Sequence, residues 1–169
     1  MGTTLMESRN PGRPVSAVLV GRQADRFHAV KDISGWRFEC KVSARDTEGG
    51  FCVFDTVRSV RGGPPLHIHR EQDEWFYVRE GEFLFKVGDE AFRLGPGDSL
   101  LGPRGVPHTF ASLTERSALI VAFQPAGGME QLFFKAWQAS QQGPLTPDDW
   151  RSFGEPHAIE IVGPPLDIG

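Results

Sequence analysis

The sequence predicts an all-β domain, an antiparallel sandwich or barrel, with a short helical segment at its C-terminal end. Three observations carry that expectation. Of 169 residues, 20 are Gly and 13 are Pro, so turn-formers interrupt the chain too often for a long helical bundle. Between them lie short apolar or alternating runs of strand length. After Gly127-Gly128 the apolar period changes from that of a strand to that of a helix. A chain of this length buries about 70% of its unfolded surface, enough for one core without disulfide staples.

Taken in order, residues 1–14 have the polar composition of a disordered lead-in. Ala17-Val18-Leu19-Val20 is a first short apolar run, read as a strand. Trp36 to Val42 alternates apolar and polar, as a half-buried strand should. Phe51 to Val57 follows Gly49-Gly50, and Arg61 to Pro65 is a Gly/Pro break. Leu66 to Arg70, Glu74 to Arg79, Glu82 to Val87, Glu90 to Leu94, Ser99 to Leu101, His108 to Leu113 and Ala118 to Phe123 complete the strands. Their connections are tight: Glu80-Gly81, Gly88-Asp89, Gly95-Pro96-Gly97 and Pro103 to Pro107. Met129, Leu132, Phe133 and Trp137 then share one helical face, which Gly143-Pro144 ends. Thr146 reads as the N-cap of a second helix, with Pro147 at its first position and Asp148 and Asp149 on the positive end of its dipole. Ile159 to Val162 is a last strand before Gly163-Pro164-Pro165.

Charge excludes several function classes. Lys and Arg number 18 against 22 Asp and Glu, a net charge of −4, and no basic run exceeds two residues. A nucleic-acid backbone needs a concentrated positive footprint, and none is present. No apolar stretch approaches the ~20 residues of a membrane span. The first residues lack the apolar segment of a signal peptide, and Met6 stands where an acylation signal opening with Met1-Gly2 needs Ser or Thr. Cys40 and Cys52 lie in apolar stretches; a bridge between them competes with the expected state, buried reduced thiols in a cytoplasmic protein.

Chemistry concentrates in one constellation. Five histidines among 169 residues make about 0.15 His-x-His pairs expected by chance, yet His67-Ile68-His69 is one. Strand residues two apart point to the same face, so both imidazoles project together. Arg70 to Asp73 leaves room for a turn, after which Glu74 opens the next strand beside the pair. His108 starts a later strand after the Pro/Gly-rich loop. Three imidazoles and a carboxylate suit Fe, Ni, Co, Mn, Cu or Zn and leave positions open for water or substrate. The competing reading makes the histidines core or surface fillers and Glu74 a solvated strand edge.

The spacing around these residues resembles the cupin superfamily. Gly62-Gly63-Pro64-Pro65-Leu66-His67-Ile68-His69-Arg70-Glu71-Gln72-Asp73-Glu74, then six residues and Gly81, resembles the first cupin motif, its opening glycine one place late. Gly97, Pro103, Gly105 and His108 resemble the second motif, which normally ends in Asn where this chain has Ser112. Fifteen residues, Glu82 to Pro96, separate the two. More narrowly, Gly62 to His69 with Glu74-Trp75-Phe76-Tyr77-Val78, the segment Gly127 to Trp137 and the segment Val162 to Leu166 are similar to the small single-domain quercetin-dioxygenase-like cupins.

The resemblance implies a jelly-roll β-barrel of two antiparallel sheets over residues 15–126, with residues 127–169 as C-terminal helices and a tail packing on it. It implies that His67, His69, Glu74 and His108 hold one divalent transition metal. It further implies a metal-dependent dioxygenase acting on a flavonol-like or other enolisable aromatic molecule, with Glu74 also the catalytic base. A metal-containing binding or sensory cupin without turnover uses the same ligands. A sugar-type isomerase shares the fold but would want a polar pocket.

Strand parity describes the surroundings. If Glu74 points inward, so do Phe76 and Val78, and His108 inward carries Phe110 and Ser112 with it. Phe76 and Phe110 are thus candidate pocket walls for a small apolar or aromatic molecule, or else ordinary core. Leu66, Ile68, Trp75 and Tyr77 then point outward, and an apolar outer face must be covered. The helix Met129 to Trp137 is the expected cover for one patch and a second subunit for another, so the chain is expected to be a homodimer. His28 and His157 are read as surface residues; Glu71, Asp73 and Asp89 as solvated turn residues; Trp36 and Trp137 as core.

Overall fold

Aromatic and β-branched residues alternating with polar ones build the sheets. The computed structural model describes residue 14 and residues 16–169; apart from Pro14, the expected lead-in lies outside the described residues. The strands are β1 (Lys31–Ile33), β2 (Trp36–Val42), β3 (Cys52–Arg58), β4 (Pro65–His69), β5 (Asp73–Glu80), β6 (Phe83–Val87), β7 (Glu90–Leu94), β8 (Ser99–Gly102), β9 (His108–Ser112), β10 (Ser117–Gln124) and β11 (Ile159–Pro165). Two helices, α1 (Met129–Ser140) and α2 (Pro147–Gly154), precede β11.

All pairings are antiparallel. One sheet runs β1-β2-β3-β10-β5-β8 and the other β11-β4-β9-β6-β7. From β3 to β11 the chain crosses between the sheets at every step except the β6–β7 hairpin, the jelly-roll arrangement the sequence led us to expect. The inner faces meet in an aromatic core that includes Phe54, Phe76, Phe83, Phe85, Phe110 and Phe123, each at most 3% exposed. Burying each such ring contributes about 1.5–3 kcal/mol, and edge-on pairs such as Phe76 with Phe110, 5.5 Å apart, fix their orientation.

The outer face follows the same parity. In β5, Glu74, Phe76 and Val78 are buried while Trp75 and Arg79 are exposed. Trp75 pairs with Leu101 on one side and Ala122 on the other, so an apolar row crosses the outside of the six-stranded sheet.

Four local expectations change. Ala17 to Val20 forms no strand, and Leu19 is 94% exposed; a short apolar run without a partner ladder has nothing to order it. β1, only three residues long, carried too little pattern to be read. β11 continues through Gly163-Pro164-Pro165, where a stop was expected, because it is an edge strand with register shifts at Gly163 and Pro165. Finally, α1 does not cover the outer face. Its buried stripe of Met129, Leu132, Phe133 and Ala136 lies on inward-pointing rings, with Phe133 stacked on Phe38 at 4.3 Å and edge-on to Phe54 at 5.0 Å.

Thr146 caps α2 as expected, its side chain accepting from the Asp149 amide while Asp149 accepts from Thr146. Cys40 and Cys52 are free and buried, and burial pushes both thiols well above the usual range. Among the described residues no helix is long and apolar enough to cross a membrane.

Candidate metal centre

His67 and His69 occupy alternate positions of β4, Glu74 lies near the start of β5 and His108 begins β9. His67 pairs in register with His108 across the β4–β9 ladder. Gly63 permits that closeness, since a Cβ there would meet the Phe110 carbonyl oxygen at 1.6 Å. The two sheets therefore bring together the four residues singled out in the sequence. All four are buried, and one ligand atom from each lies within 4.8 Å of the others.

Each imidazole has an assigned orientation. Nδ1 of His67 donates to the Pro65 carbonyl at 2.8 Å and Nδ1 of His108 to the Val106 carbonyl at 2.9 Å. A carbonyl only accepts, so both rings carry a proton on Nδ1 and turn Nε2 inward. Nδ1 of His69 donates to Oε1 of Gln72 at 3.3 Å. The three Nε2 atoms face a single oxygen, Oε2 of Glu74, at 3.8 Å from His67, 3.2 Å from His69 and 2.9 Å from His108.

The electrostatics follow from burial opposed by mutual attraction. Burial alone would raise the Glu74 carboxyl, but hydrogen bonds from His108, His67 and His69 outweigh it and hold the group well below the carboxylate range. Burial dominates at His67 and lowers it. At His108 burial acts downward too, but Glu74 prevails and the ring is raised. With their Nε2 protons given up, three imidazoles, each oriented by a backing partner, and one ionised carboxylate form a donor set that fits a divalent transition metal. His67, His69, Glu74 and His108 could hold it.

A cavity of about 300 Å³ opens beside this cluster. Phe110, Phe123, Met129, Leu132 and Phe133 are among its apolar walls, so α1 forms part of the chamber. Phe110 borders the space. Phe76 lies deeper, against Phe85 at 4.9 Å and edge-on to His108 at 6.4 Å. Trp36, read as core, lines the cavity, while His157 is half-buried with its Nδ1 donating to the Gly127 carbonyl. His28 is exposed.

Sequence reasoning missed three supports. Gln72, given no role in the sequence reading, is 1% exposed and orients His69. Asp73 is bound by Arg104 through the backbone amide at 2.9 Å and the guanidinium at 2.8 Å, tying the loop that delivers His108 to the strand that delivers Glu74. Arg58 lines the cavity; it directly continues the inward alternation of Cys52, Phe54 and Thr56, a signal that parity carried.

This topology, with three imidazoles and a carboxylate gathered between two sheets, agrees with comparison to known proteins. The family model of the cupin domain matches residues 58–123. That span contains all four residues of the cluster. No curated protein matches the chain. Among solved structures, an RmlC-like cupin from Shewanella frigidimarina is 27% identical, covers 58% of this chain and 84% of its own, and superposes with a TM-score of 0.50. KdgF from Halomonas sp. is 23% identical over 59% of this chain and 87% of its own, with a TM-score of 0.53. Ectoine synthase from P. lautus is 19% identical over 82% of this chain and 83% of its own, with a TM-score of 0.51. The likeness is one of fold: a jelly-roll cupin.

Proposed function

We propose that the chain is a metal-dependent dioxygenase acting on a flavonol-like or otherwise enolisable aromatic small molecule. The observation that carries this reading is the juxtaposition of the inward-facing donor cluster with a mostly apolar chamber of about 300 Å³. A divalent transition metal bound there would supply Lewis acidity and, if redox-active, one-electron chemistry.

The chain's own residues divide the remaining work. Phe110, Phe123, Leu132 and Phe133 offer flat apolar contact to an aromatic body and exclude water from the reacting end. Glu74 is a poor base while three imidazoles face its Oε2. Turned toward a substrate hydroxyl it loses those partners, its proton affinity rises, and the hydroxyl proton passes to its carboxylate, leaving the substrate as an enolate. The three histidines keep their backing partners throughout that movement.

The outward row containing Trp75, 39% exposed, and Leu101, 52% exposed, supports a second copy of the chain as its cover, giving a homodimer.

Elemental analysis followed by oxygen-uptake screening against flavonols and related enols tests the function. We expect one divalent metal per chain and uptake with at least one enol. Glu74→Gln keeps the shape without the strong base, so turnover should fall by about 10²-fold or more with much of the metal retained. A metal-loaded parent that binds these molecules but consumes no oxygen would overturn the dioxygenase reading in favour of a binding or sensory protein.

A further inference from the structure

Arg58 ends β3 with its side chain inside the barrel, 7% exposed, on the wall of the same cavity. Its Nε and Nη1 are buried without a hydrogen-bond partner. Among the described residues no carboxylate pairs with it, in contrast to the pairs Arg26–Asp46, Arg79–Asp55 and Arg104–Asp73. Its guanidinium carbon lies over the Trp36 ring, 4.3 Å from the centroid. A ring face attracts the charge but accepts none of the N–H groups in the manner of an oxygen. Burial without a counter-charge pushes the guanidinium down to about 10, so it stays charged at neutral pH.

Arg58 is not alone in lacking an acceptor. Trp36 and Ser117 are its register partners on either side. The indole nitrogen of Trp36 and the hydroxyl of Ser117 are also buried without a partner. Three neighbouring residues of one cross-strand row can therefore each donate a hydrogen bond that no group among the described residues receives. Buried unpaired donors and buried unpaired cations are costly, and a fold retains such a row where something else supplies the acceptor.

We infer that the cavity binds a small molecule carrying a carboxylate, which pairs with Arg58 while the rest of the molecule extends along the apolar wall toward the His67–His69–Glu74–His108 cluster. This rests on the reading that the cluster is the reacting end and adds the substrate class. A carboxylate fits better than a phosphate for two reasons. The planar guanidinium matches two coplanar oxygens. Among the described residues, Arg58 and Glu74 are the two of fixed charge lining the cavity, so a monoanion is balanced at Arg58, whereas a dianion would leave charge uncompensated among phenylalanines.

The test compares trans-cinnamate with its neutral isostere cinnamamide, titrated calorimetrically into metal-free protein, then into Arg58→Met and Arg58→Lys. The parent should bind the acid about 10-fold or more tightly than the amide, the range of one charge-assisted hydrogen bond. R58M should lose the preference and R58K should keep part of it. Without ligand, R58M should melt a few degrees above the parent, since it replaces a buried unpaired cation by a thioether of similar length. Equal affinity of the parent for acid and amide, which needs no variant to fold, would overturn the inference. So would an R58M protein that melts below the parent and still prefers cinnamate, since Arg58 would then be a structural prop for Trp36. Binding is read without metal, so absent oxygen uptake would sink the dioxygenase reading while leaving this result intact.

Discussion

Gln72 accepts a hydrogen bond from Nδ1 of His69 at 3.3 Å, and the turn that starts α1 packs directly on that glutamine. A Cβ on Gly127 would come within 2.3 Å of Gln72 Nε2, and Gly127 has a φ of +57°. The helix that walls the cavity and the imidazole at its floor thus share one buried amide.

Replacing that amide should loosen the centre without unfolding the barrel. Gln72→Leu leaves His69 Nδ1 without its acceptor, and removal of such a partner lowers metal affinity by about 10–100-fold. Competition with a chromogenic chelator, using Zn²⁺ as the probe, measures this; unchanged affinity would show that His69 is oriented by packing alone.

The double variant His67→Ala, His69→Ala removes two neighbouring donors of β4. Its metal content by elemental analysis should fall to a small fraction of the parent's. A full complement of metal would transfer the site elsewhere.

These residues were legible because strands obey a period of two. Parity placed His67 with His69, and Glu74 with Phe76, on one side, and the register of β4 with β9 places His108 directly across from His67. The helix was legible as a helix, but its stripe states only that something covers it. Whether Phe133 meets an outer or an inner face depends on how far the two sheets splay, a property of the whole barrel. Gln72 was hidden by its neighbours, because a polar residue among Glu71 and Asp73 looks solvated until Gly127 is seen to close over it. Arg58 was hidden by ending the strand one residue early, at Val57, which removed it from the inward series.

Asp73 gives a pH dependence. Hydrogen bonds from Arg104 hold its carboxyl at about 2, below the roughly 3.9 of an unfolded chain. A depressed carboxylate contributes stability that is fully present above the unfolded value and lost as pH falls through the folded one. The melting temperature of the parent should therefore fall more steeply than that of Asp73→Asn between about pH 4 and pH 2. Parallel curves across that interval would remove the Arg104 bridge from the account of stability.

Assembly is tested on the outer row. Light scattering at micromolar concentration should give the parent twice the 18.7 kDa chain mass, and Trp75→Glu, which sets a charge beside Leu101 and Ala122, should return it to the single-chain value. A parent that scatters as one chain at every concentration would leave Trp75 solvated.

The prolines of β11 bear on how the protein can be concentrated safely. β11 forms one margin of its sheet, beside the strand that carries His67 and His69. A bare margin is a template on which another chain can crystallise strand by strand into fibrils. Pro164 and Pro165 contribute no N–H to such growth, and the register shifts at Gly163 and Pro165 break the regular rung spacing. The margin nearest the imidazoles is thereby a poor template for strand addition, which shields the chamber behind it.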